Sequence, residues 1–434
     1  MVPTTAGCTT AVPVSESVIE QRLASVLAGL EVEAPAYPGP GRPAILPAMV
    51  LWTALAVGVL RGFTSQRALW RLISLQGLWD YPLVAVSDKA LYKRIATTGP
   101  EVIAQLFRDV TTTILATAPP SRAVLAPFAR TIVALDESTL DQVARTLPAL
   151  RDVPAGDRQL LPGKVAAVYD LRQHLFRQVQ FIPDALQNEK VAARALLSAV
   201  PSGSLVIADL GYFGFHWFDE LTDLGYFWVS RIRNKTSFIP EHTLYTDGTV
   251  TDELVWLGKY RADRAQHLVR KISVPYGNDV HTYLTNVCDP QLFPAAEVVA
   301  VYGERWSIEQ AFKTIKRDLK LHLLWSAKPA VIQAQVWAVF LIAQVIGAIR
   351  GELAAQAEVP IAEVSLPLLI ETLPALAARS DDPLAILRAE GRRFHIIRPT
   401  RRVSRAIPTI DPSRYTLPLP TLITQRVPRY AGKQ

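Results

Sequence analysis

The sequence predicts an α/β protein in which a strand-rich segment lies between two helical segments. Helical periodicity is continuous from residue 43 to about residue 117. Runs of β-branched and aromatic residues, separated by turn formers, begin at residue 130 and continue to about residue 290. An amphipathic helix is then predicted at 301–320, followed by a long apolar run at 329–349. The 434 residues are enough for two or three domains with cores of their own.

Charge and cysteine content narrow the class of protein. The net charge of +7 and the isoelectric point near 9.3 indicate a polyanionic partner. Cys8 and Cys288 are the only cysteines and lack metal-ligand spacing, which excludes a disulfide framework and a zinc module. No secretory signal pattern is recognised, so we expect a cytoplasmic protein. The run at 329–349 contains three Gln residues, which favours a buried helix over a membrane span.

The helical first part of the chain has features of a DNA-binding domain. Residues 1–42 are expected to form a flexible arm ahead of a helical domain at 43–123. In that domain, short basic helices at 64–73 and 86–96 flank a turn, which favours a helix-turn-helix that contacts DNA. A plain helical bundle with a basic surface is the alternative. The candidates for DNA recognition on the second helix are Lys89, Tyr92, Lys93 and Arg94.

Two apolar runs in the strand-rich part each lead to an aspartate. The segment 130–140 opens with a β-branched run that reaches Asp136, and a later buried run ends on Asp209. Either Asp could be an ordinary turn former at the end of a strand. Between them, 164–183 is expected to be a β-hairpin, and we interpret its Asp170 as a solvated turn acid.

Four polar residues of the predicted helix at 301–320 share one face. Within an arc of about 60°, at 100° per residue, lie Tyr302, Arg305, Glu309 and Lys316. The carboxylate of this set suits a hard cation, and its two cations suit phosphate oxygens. An amphipathic surface helix with internal salt bridges is the alternative interpretation.

Asp136, Asp209 and Glu309 together are the kind of donor set that a pair of divalent metal ions needs. Held about 4 Å apart, such ions activate the attacking oxygen and stabilise the leaving oxygen of an in-line phosphoryl displacement. Ligands that are all oxygen favour Mg²⁺ or Mn²⁺. The neighbouring Glu137 and Glu304 are excluded as ligands, because strand alternation and helical spacing turn them to other faces.

These residues resemble the motifs of DDE transposases of bacterial insertion sequences, in particular the insertion-sequence-four group. That group carries a helix with Tyr, two residues, Arg, three residues, Glu, six residues and Lys, and this chain matches every spacing. Asp136 within LDEST and Asp209 within IADLGYF match the two aspartates of the family. The resemblance is strong over 125–345 and looser over 45–120.

The resemblance implies a ribonuclease-H-like catalytic domain at 124–350, interrupted by a β-rich insertion at about 233–290. The residue pattern, and not the resemblance, predicts a helical and then Pro- and Arg-rich region at 351–434. The implied catalytic residues, which would also bind two Mg²⁺ or Mn²⁺ ions, are Asp136, Asp209 and Glu309. The residues implied to bind DNA phosphates are Tyr302, Arg305 and Lys316.

The reaction implied by the resemblance is cut-and-paste transposition, with nicking of the element's ends, a hairpin step and strand transfer. The implied partner is the double-stranded DNA of transposon ends and target, bound by a homodimer, with no membrane and no small-molecule substrate. Two other functions stay open. One is a non-catalytic DNA-binding protein derived from a transposase, and the other is a metal-dependent DNA nuclease that does not join its products.

Two departures from the group's pattern concern DNA contacts. Leu210 follows the second Asp where the group often has Arg, so one phosphate contact is expected to be missing. The insertion lacks the group's base-stacking Trp, for which Tyr283, His281 or Trp256 could substitute unless they are core aromatics. The basic tail at 385–434 is expected either to bind the DNA backbone or to be a disordered solubilising segment.

Overall fold

The computed structural model describes residues 18–30, 45–119, 125–140, 152, 163–260, 262–319, 321, 324–326, 328–377, 380, 382–399 and 410–430. Most of the proposed arm at 1–42 therefore lies outside the described residues. The helices are α1 (Val18–Ala28), α2 (Ala48–Leu60), α3 (Gln66–Arg71), α4 (Asp88–Thr98), α5 (Glu101–Thr117), α6 (Glu189–Leu197), α7 (Phe215–Asp223), α8 (Ala295–Gly303), α9 (Trp306–Arg317), α10 (Pro329–Gln356), α11 (Leu366–Ala377) and α12 (Pro383–Glu390). The strands are β1 (Ile132–Thr139), β2 (Lys164–Asp170), β3 (Leu175–Ile182), β4 (Leu205–Ala208), β5 (Phe227–Arg231), β6 (Phe238–Thr246), β7 (Thr251–Leu257), β8 (Leu268–Tyr276) and β9 (Asp279–Thr285).

The chain divides into two compact units. The first contains residues 1–119, 141–160 and 313–398, and the second contains residues 120–140, 161–312 and 399–434. Helices α1 to α5 therefore share a unit with α10, α11 and α12. The boundary falls inside α9, between Phe312 and Lys313. The sequence analysis assigned DNA binding to residues 43–123 and catalysis to residues 124–350, and both assignments stay predictions.

Helix α10 forms the centre of the first unit and packs against α2 and α5. It is long and apolar enough to cross a membrane, but 83% of its most apolar stretch is buried inside the protein. Gln344 donates a hydrogen bond to the Thr111 hydroxyl (2.8 Å), and Gln335 accepts one from the Trp325 backbone N–H (2.9 Å). Buried amides are tolerated when they are hydrogen bonded in this way. The burial agrees with the interpretation of this run as a core helix.

The two short basic helices predicted in the first unit form as α3 and α4. Ser65 and Ser87 cap them, and each hydroxyl accepts from the backbone N–H three residues later, at 3.4 and 3.2 Å. Helix α3 continues into a π-helical turn that ends at Gly77, whose φ of 88° suits glycine. That this pair of helices contacts DNA stays a prediction.

One sheet joins the described strands in the order β3-β2-β1-β4-β5-β9-β8-β7-β6. Strands β1, β2 and β3 are antiparallel neighbours, whereas β4 runs parallel to both β1 and β5. Strand β5 then pairs antiparallel with β9, with Val229 opposite Thr285. The strands predicted at 233–290 therefore extend the main sheet rather than forming a sheet of their own.

Helices α6 and α7 cover one face of this sheet and complete the main apolar core of the second unit. The core side chains from β1 and β4 are Val133, Leu135, Val206 and Ala208. Because side chains alternate along a strand, even-numbered residues of β1 and odd-numbered residues of β4 face the other side. That other side packs against α9, whose Phe312 ring lies 5.9 Å from the ring of Phe176 on β3.

Residues 410–430 lie along the insertion strands, and we call this segment the C-terminal strap. The Thr416 N–H donates to the Leu244 carbonyl (2.8 Å), and the Arg426 N–H donates to the Gln266 carbonyl (2.9 Å). The Arg426 guanidinium lies 4.9 Å from the centroid of the Trp256 ring. The described part of the basic tail is thus folded rather than disordered, whereas its contact with the DNA backbone stays a prediction.

We expect Gly258→Ala to destabilise the second unit by at least about 3 kcal/mol. Gly258 has a φ of 83°, and a Cβ atom there would overlap the backbone of Asp263 and Arg264. Gly248→Ala is the matched control, because its φ is 88° and no atom lies within 4 Å of the added Cβ. It carries only the left-handed backbone penalty of about 1 kcal/mol. Chemical denaturation measures both, and equal losses would contradict the steric argument.

Candidate active site

The register of two parallel strands brings the predicted aspartates together. Leu135 of β1 is paired with Ala208 of β4, so the next residues of the two strands are Asp136 and Asp209. Both lie on the face opposite the main apolar core, following the alternation of each strand. The sequence could place each Asp near the end of a strand, but only the pairing of β1 with β4 makes them neighbours.

The apolar run that leads to Asp136 is only the first part of strand β1. The strand continues to Thr139, because β2 stays paired with it beyond the last residue of β4, with Asp136 opposite Ala167. Each carboxylate is oriented by the backbone that follows it. The Glu137 N–H donates to Asp136 Oδ1 (2.8 Å), and the Leu210 N–H donates to Asp209 Oδ1 (2.7 Å).

The signature residues do not lie on one continuous helix, so that expectation was wrong. Helix α8 ends at Gly303 and α9 begins at Trp306. The chain passes between them through tight i to i+3 contacts, such as Arg305 N–H to Tyr302 carbonyl (3.1 Å). This tightly wound turn directs Arg305 towards the carboxylates of Glu309 and Asp209. Its Nη2 lies 2.8 Å from Glu309 Oε1 and its Nη1 lies 3.8 Å from Asp209 Oδ2.

The electrostatics of the site couple all three predicted catalytic carboxylates. Burial raises the pKa of Asp136 to about 7, against the lowering effects of its backbone hydrogen bond and of Arg305. The negative charges of Glu309 and Asp209 raise it further. Burial alone would lower the pKa of Arg305, but the carboxylates around it raise that pKa. Asp136, Asp209, Arg305 and Glu309 therefore form one interacting cluster.

Tyr302 and Lys316 complete the set predicted to bind phosphate. Tyr302 is partly buried, its ring lies 5.3 Å from that of Tyr283, and burial raises its pKa to about 12. The phenol is therefore neutral, and a hydrogen-bond donor, at physiological pH. Lys316 lies in the last turn of α9, two turns after Glu309 and about 10 Å further along the axis. Its role in binding DNA stays a prediction.

The acidic neighbours that the sequence excluded as ligands have other partners. Glu137 forms an ion pair with Lys164 (2.5 Å), and Glu304 accepts from the Ser307 hydroxyl (3.3 Å). The interpretation of Asp170 as a solvated turn acid was wrong. Asp170 is fully buried and accepts hydrogen bonds from the Thr131 hydroxyl (2.9 Å) and Arg177 Nε (2.8 Å). It ties the ends of β1, β2 and β3 together and lies opposite Val133, three residues before Asp136 on β1.

Two of the three aromatic candidates for base stacking are part of the core. Trp256 is buried, donates from Nε1 to Glu241 (3.0 Å) and is covered by Arg426. Tyr283 is also buried. His281 is partly exposed and stacks on Tyr276, with ring centroids 3.9 Å apart. Of the predicted DNA-recognition residues on α4, Lys89 and Lys93 are exposed, whereas Tyr92 and Arg94 are partly buried.

The sequence analysis missed one cation that contacts the backbone next to Asp209. Arg233 follows β5 and donates from Nη2 to the carbonyl of Leu210, next to Asp209 (3.1 Å). It is 24 positions from Asp209 in the chain and belongs to no recognised spacing pattern. Only the parallel pairing of β4 with β5 brings these segments together.

The carboxylate cluster has the donor chemistry of a divalent metal site but not its spacing. In the part of the chain that the structure describes, no three His, Cys, Asp or Glu side chains lie at metal-binding spacing. Asp136, Asp209 and Glu309 nevertheless offer the hard oxygen donors that Mg²⁺ and Mn²⁺ prefer. In this structure Arg305 places its positive charge next to two of them, Asp209 and Glu309. Donor type therefore fits a divalent cation, whereas the spacing of the three carboxylates in this structure does not form one ligand set.

The sequence around these site residues matches a known protein family. The family described as "Transposase DDE domain" matches residues 130–345, which include both aspartates, Glu309 and the whole signature. This chain belongs to the DDE transposases. The match begins two residues before β1 and ends within α10, so the DDE domain includes the insertion strands and extends across both compact units.

Named relatives of this DDE transposase are proteins of insertion sequences. The transposase for insertion sequence element IS231C of Bacillus thuringiensis subsp. berliner is 24% identical over 327 residues, covering 63% of this chain and 67% of the relative. Transposase InsG for insertion sequence element IS4 of Escherichia coli K12 is 26% identical over 220 residues, covering 44% of this chain and 45% of the relative. The matches thus span between about half and two thirds of these relatives.

A solved structure is also similar at low level. The cryo-EM structure of a piggyBac transposase synaptic complex with hairpin DNA matches with a TM-score of 0.41 and 10% identity. The match covers 91% of this chain and 84% of that chain. A TM-score of this size does not establish a shared fold.

Proposed function

We propose that this protein is a DNA transposase that cuts the ends of an insertion sequence and joins them to target DNA. The observation that carries the proposal is the pairing of Asp136 and Asp209 on adjacent parallel strands, with Glu309 coupled to them through Arg305. The order β3-β2-β1-β4-β5, with the first three strands antiparallel, supports the ribonuclease-H-like core that the resemblance implied. The helical part at 43–123 would bind DNA.

Asp136, Asp209 and Glu309 would hold two Mg²⁺ or Mn²⁺ ions. When bound, such ions activate the attacking oxygen and stabilise the leaving oxygen of an in-line displacement on phosphorus. The chain's own residues would orient the DNA. Arg305 would exchange its carboxylate partners for phosphate oxygens, which its fork of donors matches. The neutral Tyr302 phenol would donate to a phosphate, and Lys316 would hold one further along the strand.

One site can perform nicking, hairpin formation and strand transfer, because each step is an attack of an oxygen on a phosphodiester. Pairing two element ends requires at least two protomers, so the DNA complex would contain a homodimer. A cytoplasmic, nucleoid-associated location in a bacterium follows from this function.

The test is a cleavage assay with the full-length protein and a duplex carrying the DNA that flanks its own gene. We expect nicks at the element's border in Mg²⁺ or Mn²⁺, hairpin ends, and joined products when target DNA is added. In EDTA we expect binding without cleavage. Cleavage without joining would instead identify a nuclease, and binding without cleavage in any metal would identify a DNA-binding protein derived from a transposase.

A further inference from the structure

Arg233 is held at the backbone next to Asp209 by contacts that leave most of its donors available. Its Nη2 donates to the Leu210 carbonyl (3.1 Å), and its guanidinium lies 5.8 Å from the centroid of the Phe213 ring. The side chain is otherwise exposed. A guanidinium has five N–H donors in a planar fork, so a single carbonyl contact uses only a small part of its capacity.

A second cation lies next to Arg233. Lys190 is the second residue of α6, and burial and then the positive charge of Arg233 lower its pKa. The two cations are therefore close enough to repel each other. In the described residues, no ion pair joins either of them to a carboxylate. Two neighbouring cations repel each other in the free protein, and an anion that binds to both removes this repulsion.

The position of the neighbouring acid, Glu189, depends on Gly211. The Glu189 carboxylate lies against Gly211, at the place where a Cβ atom would be in another residue. Its negative charge acts on Glu137 and on the buried Tyr212. Gly211 therefore leaves room for the Glu189 carboxylate, and no ion pair in the described residues joins that carboxylate to Lys190 or Arg233.

We propose that Lys190 and Arg233 form a phosphate subsite that holds the DNA phosphate next to the one that is cut. Arg233 reaches the backbone of Leu210, the residue that follows Asp209. A residue from the turn after β5 thus brings a cation to the backbone that follows Asp209. This inference rests on the proposed function, because the anion it names is the backbone of the DNA substrate.

The test measures how DNA affinity depends on salt for the full-length protein in EDTA, with a fluorescent 30-base-pair duplex. Each phosphate contact contributes about 0.9 to the slope of log K against log salt concentration. We expect Arg233→Gln and Lys190→Gln each to lower the slope by up to about 0.9 and the affinity by about fivefold to tenfold at 0.1 M salt. Arg233→Lys, which keeps the charge, should keep most of the slope.

Lys235→Gln is the matched control, because Lys235 is an exposed cation in the same turn. Its slope should stay within about 0.3 of the wild-type value, well below the loss of one phosphate contact. Melting temperatures of all variants show whether folding has changed, and a purely structural role of Arg233 would alter these without altering the slope. In a metal-dependent cleavage assay, Arg233→Gln should raise KM and leave kcat within about threefold.

The outcomes separate this inference from the proposed function. If the wild type cuts DNA and both Gln variants keep its slope and KM, the subsite does not exist. If Lys235→Gln lowers the slope as much as Arg233→Gln, the effect is general charge loss and the inference fails. A wild type that binds DNA without cutting overturns the proposed function, while the slope of the variants still decides whether Lys190 and Arg233 contact phosphate.

Discussion

Glu309→Gln is expected to reduce DNA cleavage by at least about a thousandfold. A carboxylate that holds a catalytic metal contributes several kcal/mol to the transition state, and each 1.36 kcal/mol is a factor of ten in rate. Gln keeps the size of the side chain but removes the negative charge that couples Glu309 to Arg305 and Asp136. Single-turnover cleavage of the border duplex in Mg²⁺ measures the effect.

Glu304→Gln is the matched control for this experiment. Glu304 lies five residues before Glu309, in the turn between α8 and α9, and accepts a hydrogen bond from the Ser307 hydroxyl. Its cleavage rate should stay within about threefold of the wild-type rate. DNA affinity of Glu309→Gln in EDTA should also stay within about threefold, since the basic residues are intact. Equal rates for Glu309→Gln and the wild type would remove Glu309 from the active site.

Asp252→Asn is expected to be the most destabilising of the substitutions considered. Asp252 and Arg270 are both fully buried, and Asp252 accepts from Arg270 Nε (2.8 Å) and from the Tyr415 hydroxyl (3.0 Å). Removing one partner leaves an uncompensated buried charge, which lowers the free energy of unfolding by about 3–5 kcal/mol. For a unit of this size, the melting temperature of the second unit should fall on the order of 10 °C.

The exposed ion pair between Arg194 and Glu220 provides the control on the same unit. The Arg194 side chain is 60% exposed, so Arg194→Gln should change stability by less than about 1 kcal/mol. A double variant, Asp252→Leu with Arg270→Met, should recover much of the loss because it removes both buried charges. If Asp252→Asn melts at the wild-type temperature, the pair does not hold the insertion strands and the strap together.

The buried pair also connects the insertion to the active site. Arg270 Nη1 donates to the Phe293 carbonyl (2.6 Å), two residues before α8 begins. Helix α8 carries Tyr302 and leads directly to Arg305. The β-rich insertion thus has a structural role in placing the signature residues. Sequence patterns could not indicate this role, because the contact joins residues that are 23 positions apart in unlike elements.

Local sequence patterns were sufficient to predict the strands and the buried helix, and to select the candidate site residues. Alternation and apolar runs predicted β1, the hairpin of β2 and β3, and the strands of the insertion, since these depend on nearest neighbours along the chain. Predictions from the same patterns were wrong where contacts between distant segments determine the structure. A continuous signature helix was expected, but the chain breaks between α8 and α9, and Asp170 is buried by residues from other segments.

The sequence by itself determined the family motifs, namely two aspartates after apolar runs and a Tyr-Arg-Glu-Lys spacing, because these are properties of residue order. The tertiary structure alone decided which side chains meet. Parallel pairing of β1 with β4 makes Asp136 and Asp209 neighbours, and pairing of β4 with β5 brings Arg233 to Leu210. Strand register depends on interactions between distant segments, so no local pattern can specify it.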